Sequence, residues 1–176
     1  MNHFIITQDE RVTNALEPLG VRNAIKQEWL TLAGSYELDN QHLHFRIKDQ
    51  SQAIEVDFIE RPVPLVSDRM KSIIEKFAPR MYFKPVGLID LKQKKQLVYW
   101  LIIPPKVACL SKETVYDMHG NVQRLVINRQ LIGRYPMISI EGIRENIWVI
   151  NLALAESLLR RDLVGVRLTK AALMND

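Results

Sequence analysis

The chain has 176 residues, 47% of them hydrophobic, enough to bury one substantial core or two small ones. Charged residues make up 25%, an ordinary globular share that excludes disorder on a large scale. The balance of 24 basic and 20 acidic residues, a formal charge of +4, favours acidic partners in general without singling out nucleic acid. The basic residues are scattered, and the densest cluster (Lys92, Lys94 and Lys95) reads as a solvated loop.

The single cysteine, Cys109, allows no intramolecular disulfide, which fits a reducing cytoplasm. The stretch MNHFIITQDE lacks a basic start followed by a long apolar run, so no secretory signal is read there. The longest apolar run, LVYWLII (97–103), falls short of the roughly 20 residues that a spanning helix needs and is read as a buried strand. The expectation is a soluble cytoplasmic protein with no membrane contact.

In chain order, His3–Thr7 predicts a first strand. A short helix is expected around Arg22–Leu32, between Gly20 and Gly34. HLHFRIKD (42–49) and AIEVDFIE (53–60) both alternate with the period of a half-buried strand, and the polar turn between them suggests a hairpin. RPVPL (61–65) cannot be a central strand, because Pro62 and Pro64 donate no hydrogen bond. It joins an N-terminal strand-rich portion (1–60), read as part of the same fold, to a core spanning 61–176.

Ser67 then caps a helix, with Asp68 in its first turn and Met70, Ile73, Ile74 and Phe77 on one face. MYFKPVGLIDL (81–91) and QLVYWLIIPP (96–105) are strands around a KQKK turn, and VACL (107–110) is a candidate extension of the sheet. Residues 113–129 resemble a hairpin turning near His119–Gly120–Asn121. RQLIG is a turn or short helix, and PMISIEG (136–142) and NIWVIN (146–151) are strands. Asn151 caps a second helix with Leu152, Ala155, Leu158 and Leu159 as its apolar face, and VRL after Gly165 closes the unit. Residues 65–86 and 149–168 thus share one layout of strand end, capped helix, turn and strand. Many strands with two main helices predict an α+β fold with a mostly antiparallel sheet.

No catalytic signature emerges. His42-x-His44 places two imidazoles on one strand face, but no third ligand stands at a diagnostic spacing, so no metal is expected. Cys109 in VACLS reads as a core thiol. Phosphate-binding and dinucleotide-binding glycine patterns are missing, so no cofactor is expected. Glu141, Arg144 and Glu145 surround Gly142 in a turn, where solvated charges are the simpler reading and contact with a partner the sharper one. Trp100 and Trp148 fall in strand patterns and are expected in the core, while Trp29 stays open.

Several motifs in order resemble a bacterial immunity-protein family of polymorphic toxin systems, long catalogued as a domain of unknown function. They are Val66–Ser67 at the first helix start, Phe83–Lys84–Pro85–Val86, Cys109–Leu110, Ile140–Glu141–Gly142 and Leu163–Val164–Gly165. The likeness spans about residues 62–170 and departs at Asn151, where the family often carries Ser. It implies a non-enzymatic protein that binds and neutralises a cognate protein toxin. Arg144, Glu145, Trp148, Arg160 and Arg161 are the candidate partner-binding residues. Two other readings stand beside it. One is a small hydrolase or transferase using Asp90, Glu141 and Glu145. The other is a nucleic-acid-binding module suggested by the basic balance.

Overall fold

Two nine-residue strands carry the first sheet, because their side chains are apolar on both faces. The computed structural model describes residues 1–174. The chain opens with strand β1 (His3–Gln8), helix α1 (Val21–Ala24), a 3-10 turn (Gln27–Trp29) and helix α2 (Tyr36–Asp39). Strands β2 (Leu43–Arg46), β3 (Phe58–Ile59) and β4 (Leu65–Ser67) lead into helix α3 (Asp68–Phe77). The long pair β5 (Tyr82–Asp90) and β6 (Lys95–Ile103) follows, then β7 (Lys106–Val107). A small hairpin of β8 (Val115–Tyr116) and β9 (Val122–Arg124) precedes β10 (Val126–Ile127) and α4 (Arg129–Ile132). The chain closes with β11 (Met137–Ile140), β12 (Trp148–Asn151), α5 (Leu152–Leu159), β13 (Val166–Lys170) and β14 (Ala172–Leu173). The fold is α+β, with mostly antiparallel sheets, as the alternation of periods predicts.

Two five-stranded sheets organise the molecule, in the orders β2-β5-β6-β4-β3 and β13-β1-β12-β11-β7. Their construction is the same. In the first, β4 and β5 are joined by α3 and both run antiparallel to β6, which lies between them. In the second, β12 and β13 are joined by α5 and both run antiparallel to β1, which lies between them. Each is a split β-α-β unit. The shared layout read in the sequence is therefore a shared topology.

The caps work as expected. Ser67 Oγ accepts from Met70 N (3.1 Å), and Asn151 Oδ1 accepts from Leu154 N (3.0 Å). Each is worth about 1 kcal/mol. The helices α3 and α5 pack on each other and on one face of each sheet, in a core that takes Met70, Ile74, Leu154 and Leu158 together with Ile6, Phe58, Ile102 and Ile150. The α5 face differs from expectation. Leu154, Ala155 and Leu158 are buried, whereas Leu159 is 69% exposed. At about 100° per residue, Leu159 lies roughly 140° round the helix from Leu154, beyond the width of the buried stripe.

Both faces of both sheets carry packed cores, although one face of the first sheet is open where His44, Gln96 and Val98 are exposed. On β6, Tyr99, Leu101 and Ile103 face a core built with Leu16, Val21, Ile25 and Leu38, while Trp100 and Ile102 face the helices. On the second sheet, Ile5, Ile138 and Val149 face a third core with Cys109, Ile127 and Ile132. Trp148 lies in the helix-side core, as expected, whereas Trp100 is only half-buried against it, its Nε1 donating to Asp68 Oδ1, and Trp29 packs partly buried against the core of the N-terminal segment.

The expected hairpin of 42–49 with 53–60 does not form. Strand β2 pairs parallel with β5, and only Phe58–Ile59 of the second stretch is strand, paired with β4. Alternation reports which face is buried but not which neighbour supplies the hydrogen bonds. The expected helix over 22–32 is likewise two short pieces, α1 and the 3-10 turn, because Ile25 and Lys26 are extended between them. VACL contributes only Val107, and it joins the second sheet through β11 rather than extending the first.

One buried carboxylate ties the two units together. Asp57 is 4% exposed. Its side chain accepts from Ser67 Oγ (2.5 Å), Arg69 Nη2 (2.6 Å) and Val164 N (2.7 Å). Its own N–H donates to Val164 O (2.7 Å). Asp57 therefore joins the cap of α3 to the loop that enters β13. Nearby, Asp9 N donates to Gly165 O (2.9 Å), and the Asp9 carboxylate accepts from Arg11 Nε (2.9 Å) and Nη2 (2.7 Å). These guanidinium hydrogen bonds pull the Asp9 carboxyl down to about 2. A carboxyl of lowered folded pKa stabilises fully above the unfolded value, near 3.9, and loses that contribution as pH falls through about 2. A carbon-13 NMR titration should place the Asp9 midpoint near 2, and Arg11→Ala should raise it while leaving it lowered by the bond from the residue 11 backbone N–H.

Candidate functional site: a basic cleft beside the 141–146 turn

The loop between β11 and β12 is held at both ends before it does anything else. Ile140 N donates to Ile147 O, and Glu141 N donates to Val107 O. Gly142 takes a positive φ of 90°, which favours glycine because a Cβ crowds the backbone there. The charged residues of the loop then grip the β8–β9 hairpin. Arg144 Nη1 donates to His119 O (3.0 Å), and Glu145 Oε1 accepts from Val122 N (2.8 Å). Asp117 rigidifies the hairpin tip by accepting from His119 N, Asn121 N and Asn121 Nδ2, and these bonds lower its pKa. The hairpin thus stands fixed beside the turn, with Met118 at its tip 91% exposed.

This assembly forms one wall of a cleft of about 760 Å³. The other wall comes from α1 and the residues after it (Arg22, Ile25, Lys26, Gln27) and from Glu60–Val63 behind β3. A second hollow of about 780 Å³ shares Arg22, Glu60, Arg61 and Pro62 with it and runs on past Gln8, Glu17 and Gly20. Trp148 lies in the floor, 4% exposed and held edge-to-face by Phe58 with ring centroids 5.7 Å apart.

Four cations line the cleft: Arg22, Lys26, Arg61 and Arg144. Among the described residues, none of them is paired with a carboxylate. Lys26 lies over the Trp29 ring, 5.3 Å from its centroid. The two carboxylates of the lining are already engaged. Gln8 N donates to Glu60 Oε2 (3.1 Å), and Glu145 carries the hairpin bond, with its Oε2 buried and unpartnered. The lining therefore holds four cations without a carboxylate partner, Arg144 among them already donating to His119 O, against two carboxylates each bound to a backbone N–H group through one oxygen.

No family model matches the chain, and no curated protein matches its sequence.

Of the five candidate partner-binding residues, the fold brings Arg144, Glu145 and Trp148 together in the cleft. Arg160 and Arg161 are exposed at the end of α5, where Arg160 approaches Glu156 (3.9 Å), and they do not line it. Arg22, Lys26 and Arg61 escaped the sequence reading because they come from two segments remote from the turn. The one local signal was Arg61 directly before Pro62, in a stretch that cannot pair as a central strand.

The carboxylates considered for catalysis do not converge. Asp90 accepts from Lys92 N and Gln93 N in the β5–β6 turn and borders a different hollow. Glu141 is exposed, and only Glu145 reaches the cleft. Cys109 is fully buried, and burial raises its thiol pKa. His42 and His44 border a shallow hollow on the first sheet, and no group of three ligand-type side chains that could hold a metal occurs among the described residues.

Proposed function

We propose that the chain binds a cognate toxin domain and neutralises it without catalysis, by covering the toxin's active surface with the face that holds the cleft. The observation that supports this reading most is the set of four cations, unpaired with any carboxylate among the described residues, around a rigid floor. Cations that no carboxylate holds can meet complementary charge without breaking an ion pair, Arg22 and Arg61 most freely, since Arg144 also donates to His119 O and Lys26 lies over the Trp29 ring. The surrounding frame is stiff: the turn, the hairpin and Trp148 are each fixed by hydrogen bonds or packing. Preorganisation of this kind lowers the entropy lost on association. The exposed Met118 and Tyr116 on the adjoining hairpin supply apolar contact area beside the charges.

The test is a pull-down of the tagged chain from its native host, followed by expression of the co-purified protein's domains in a naive host. Stoichiometric recovery of a partner whose domain kills cells, together with rescue by this chain, is the expected result. Recovery of the chain alone, or a toxic partner whose effect the chain does not relieve, overturns the reading. A helix long and apolar enough to cross a membrane is absent from the described residues.

A further inference from the structure

We infer that the cleft takes an acidic, extended segment of the partner protein, with Arg22, Arg61 and Arg144 as its main carboxylate-binding groups. The inference rests on the proposed function for the identity of the partner, but its chemistry comes from the cleft itself.

Three features select this occupant. Arginine presents a planar fork of donors that matches a carboxylate bidentately, and three of the four lining cations are arginines. The cations are distributed over both walls, Arg22 and Arg61 on one and Arg144 on the other, so a chain lying along the floor meets positive charge from both sides. The cleft, at about 760 Å³, is also far larger than a small ion fills and suits a stretch of chain, whose acidic part stays within it because the adjoining hollow adds Glu10 and Glu17 but no further cation.

The same features disfavour a nucleic-acid strand. Single-strand binding draws on exposed aromatic faces for base stacking. Here Trp148 is 4% exposed, and the Trp29 ring is capped by Lys26. Glu60 and Glu145 also sit in the walls, where a continuous phosphate backbone meets repulsion. A peptide with separated acidic side chains can pass them.

The test uses the full chain and a fluorescein-labelled decapeptide of alternating Glu and Gly, read by fluorescence anisotropy. A Lys–Gly decapeptide and a thymidine oligonucleotide of equal length serve as the other arms. The acidic peptide should bind at low salt and weaken as ionic strength rises, because these cations are exposed. The double variant Arg22→Glu/Arg61→Glu should weaken it by roughly tenfold or more, since each reversal turns attraction into repulsion. Arg160→Glu/Arg161→Glu, away from the cleft, should leave it unchanged. Thermal melts confirm that each variant is folded.

No binding of the acidic peptide, or equal binding by both double variants, overturns the inference. Tighter binding of the oligonucleotide than of the peptide overturns it as well and assigns the cleft to nucleic acid. The toxin-rescue assay separates the two levels. Rescue that persists in Arg22→Glu/Arg61→Glu removes the cleft assignment and leaves the toxin-binding reading standing. Peptide binding without any rescue does the reverse.

Discussion

Replacing Asp57 by alanine should lower the unfolding free energy by about 3 kcal/mol. The carboxylate is buried and accepts from three donors on two segments: the Ser67 hydroxyl and the Arg69 guanidinium at the start of α3, and the Val164 amide. Its loss strands the hydroxyl and the amide without their acceptor. The guanidinium fares better, because the Arg69 side chain is 54% exposed and keeps a bond to Asp162 O (2.9 Å). For a chain of this size the loss corresponds to a drop in Tm of roughly 6–12 °C. Arg69→Ala should cost less, about 1–2 kcal/mol, since Asp57 retains two donors and water can reach the vacated side. Urea denaturation measures both. A shift in the midpoint at constant slope reports stability. An Asp57→Ala midpoint equal to that of the unmodified chain would show that the seam between the two β-α-β units contributes nothing.

The second large effect is expected at Gly165. Its φ is +73°, and a Cβ built there would lie 2.4 Å from Val56 Cγ1 and 2.6 Å from Val56 Cβ. Two costs add in Gly165→Ala. The left-handed backbone costs an L-residue about 1–2 kcal/mol, and forcing a buried branched side chain to yield costs a further 1–3 kcal/mol or so. Val56 has little room to move, because it is fully buried and its carbonyl accepts from Tyr99 Oη (2.7 Å). Gly142→Ala is the control. Its φ is +90°, but the nearest atom to a new Cβ is Leu110 Cδ1 at an ordinary 3.6 Å. That variant should carry only the backbone cost. If the two substitutions shift the midpoint equally, the close approach of Val56 has no energetic weight.

The sequence carried the local structure well, for physical reasons. Ser67 and Asn151 are side chains that satisfy free N–H groups within one turn, so their role depends on neighbours three residues away. The long β5–β6 hairpin is equally local, with a polar turn between two apolar runs. What alternation does not encode is the distant partner. Nothing within HLHFRI says that β2 will lie parallel to β5 rather than pair with the next alternating stretch. The candidate site divides in the same way. Arg144, Glu145 and Trp148 lie within five residues and were visible as a group. Arg22, Lys26 and Arg61 join them only after the N-terminal segment packs over the first sheet. The hydrogen bonds that spend Arg144 and Glu145 on the hairpin are also non-local, reaching from the turn to His119 and Val122.

The placement of β1 between β12 and β13 has a consequence in time. His3–Gln8 leaves the ribosome long before Trp148–Asn151 and Val166–Lys170, the two strands that flank it. Throughout that interval its ladder of N–H and C=O groups has neither native partner, and Phe4, Ile5 and Ile6 have no completed core to enter. Closure of the second sheet waits on almost the whole length of the chain, which marks a fold of high sequence separation and slow completion. A ribosome stalled before residue 148 therefore displays a nascent chain whose first strand is still sticky, and it is at that stage of synthesis, rather than in the finished protein, that protection from aggregation matters most.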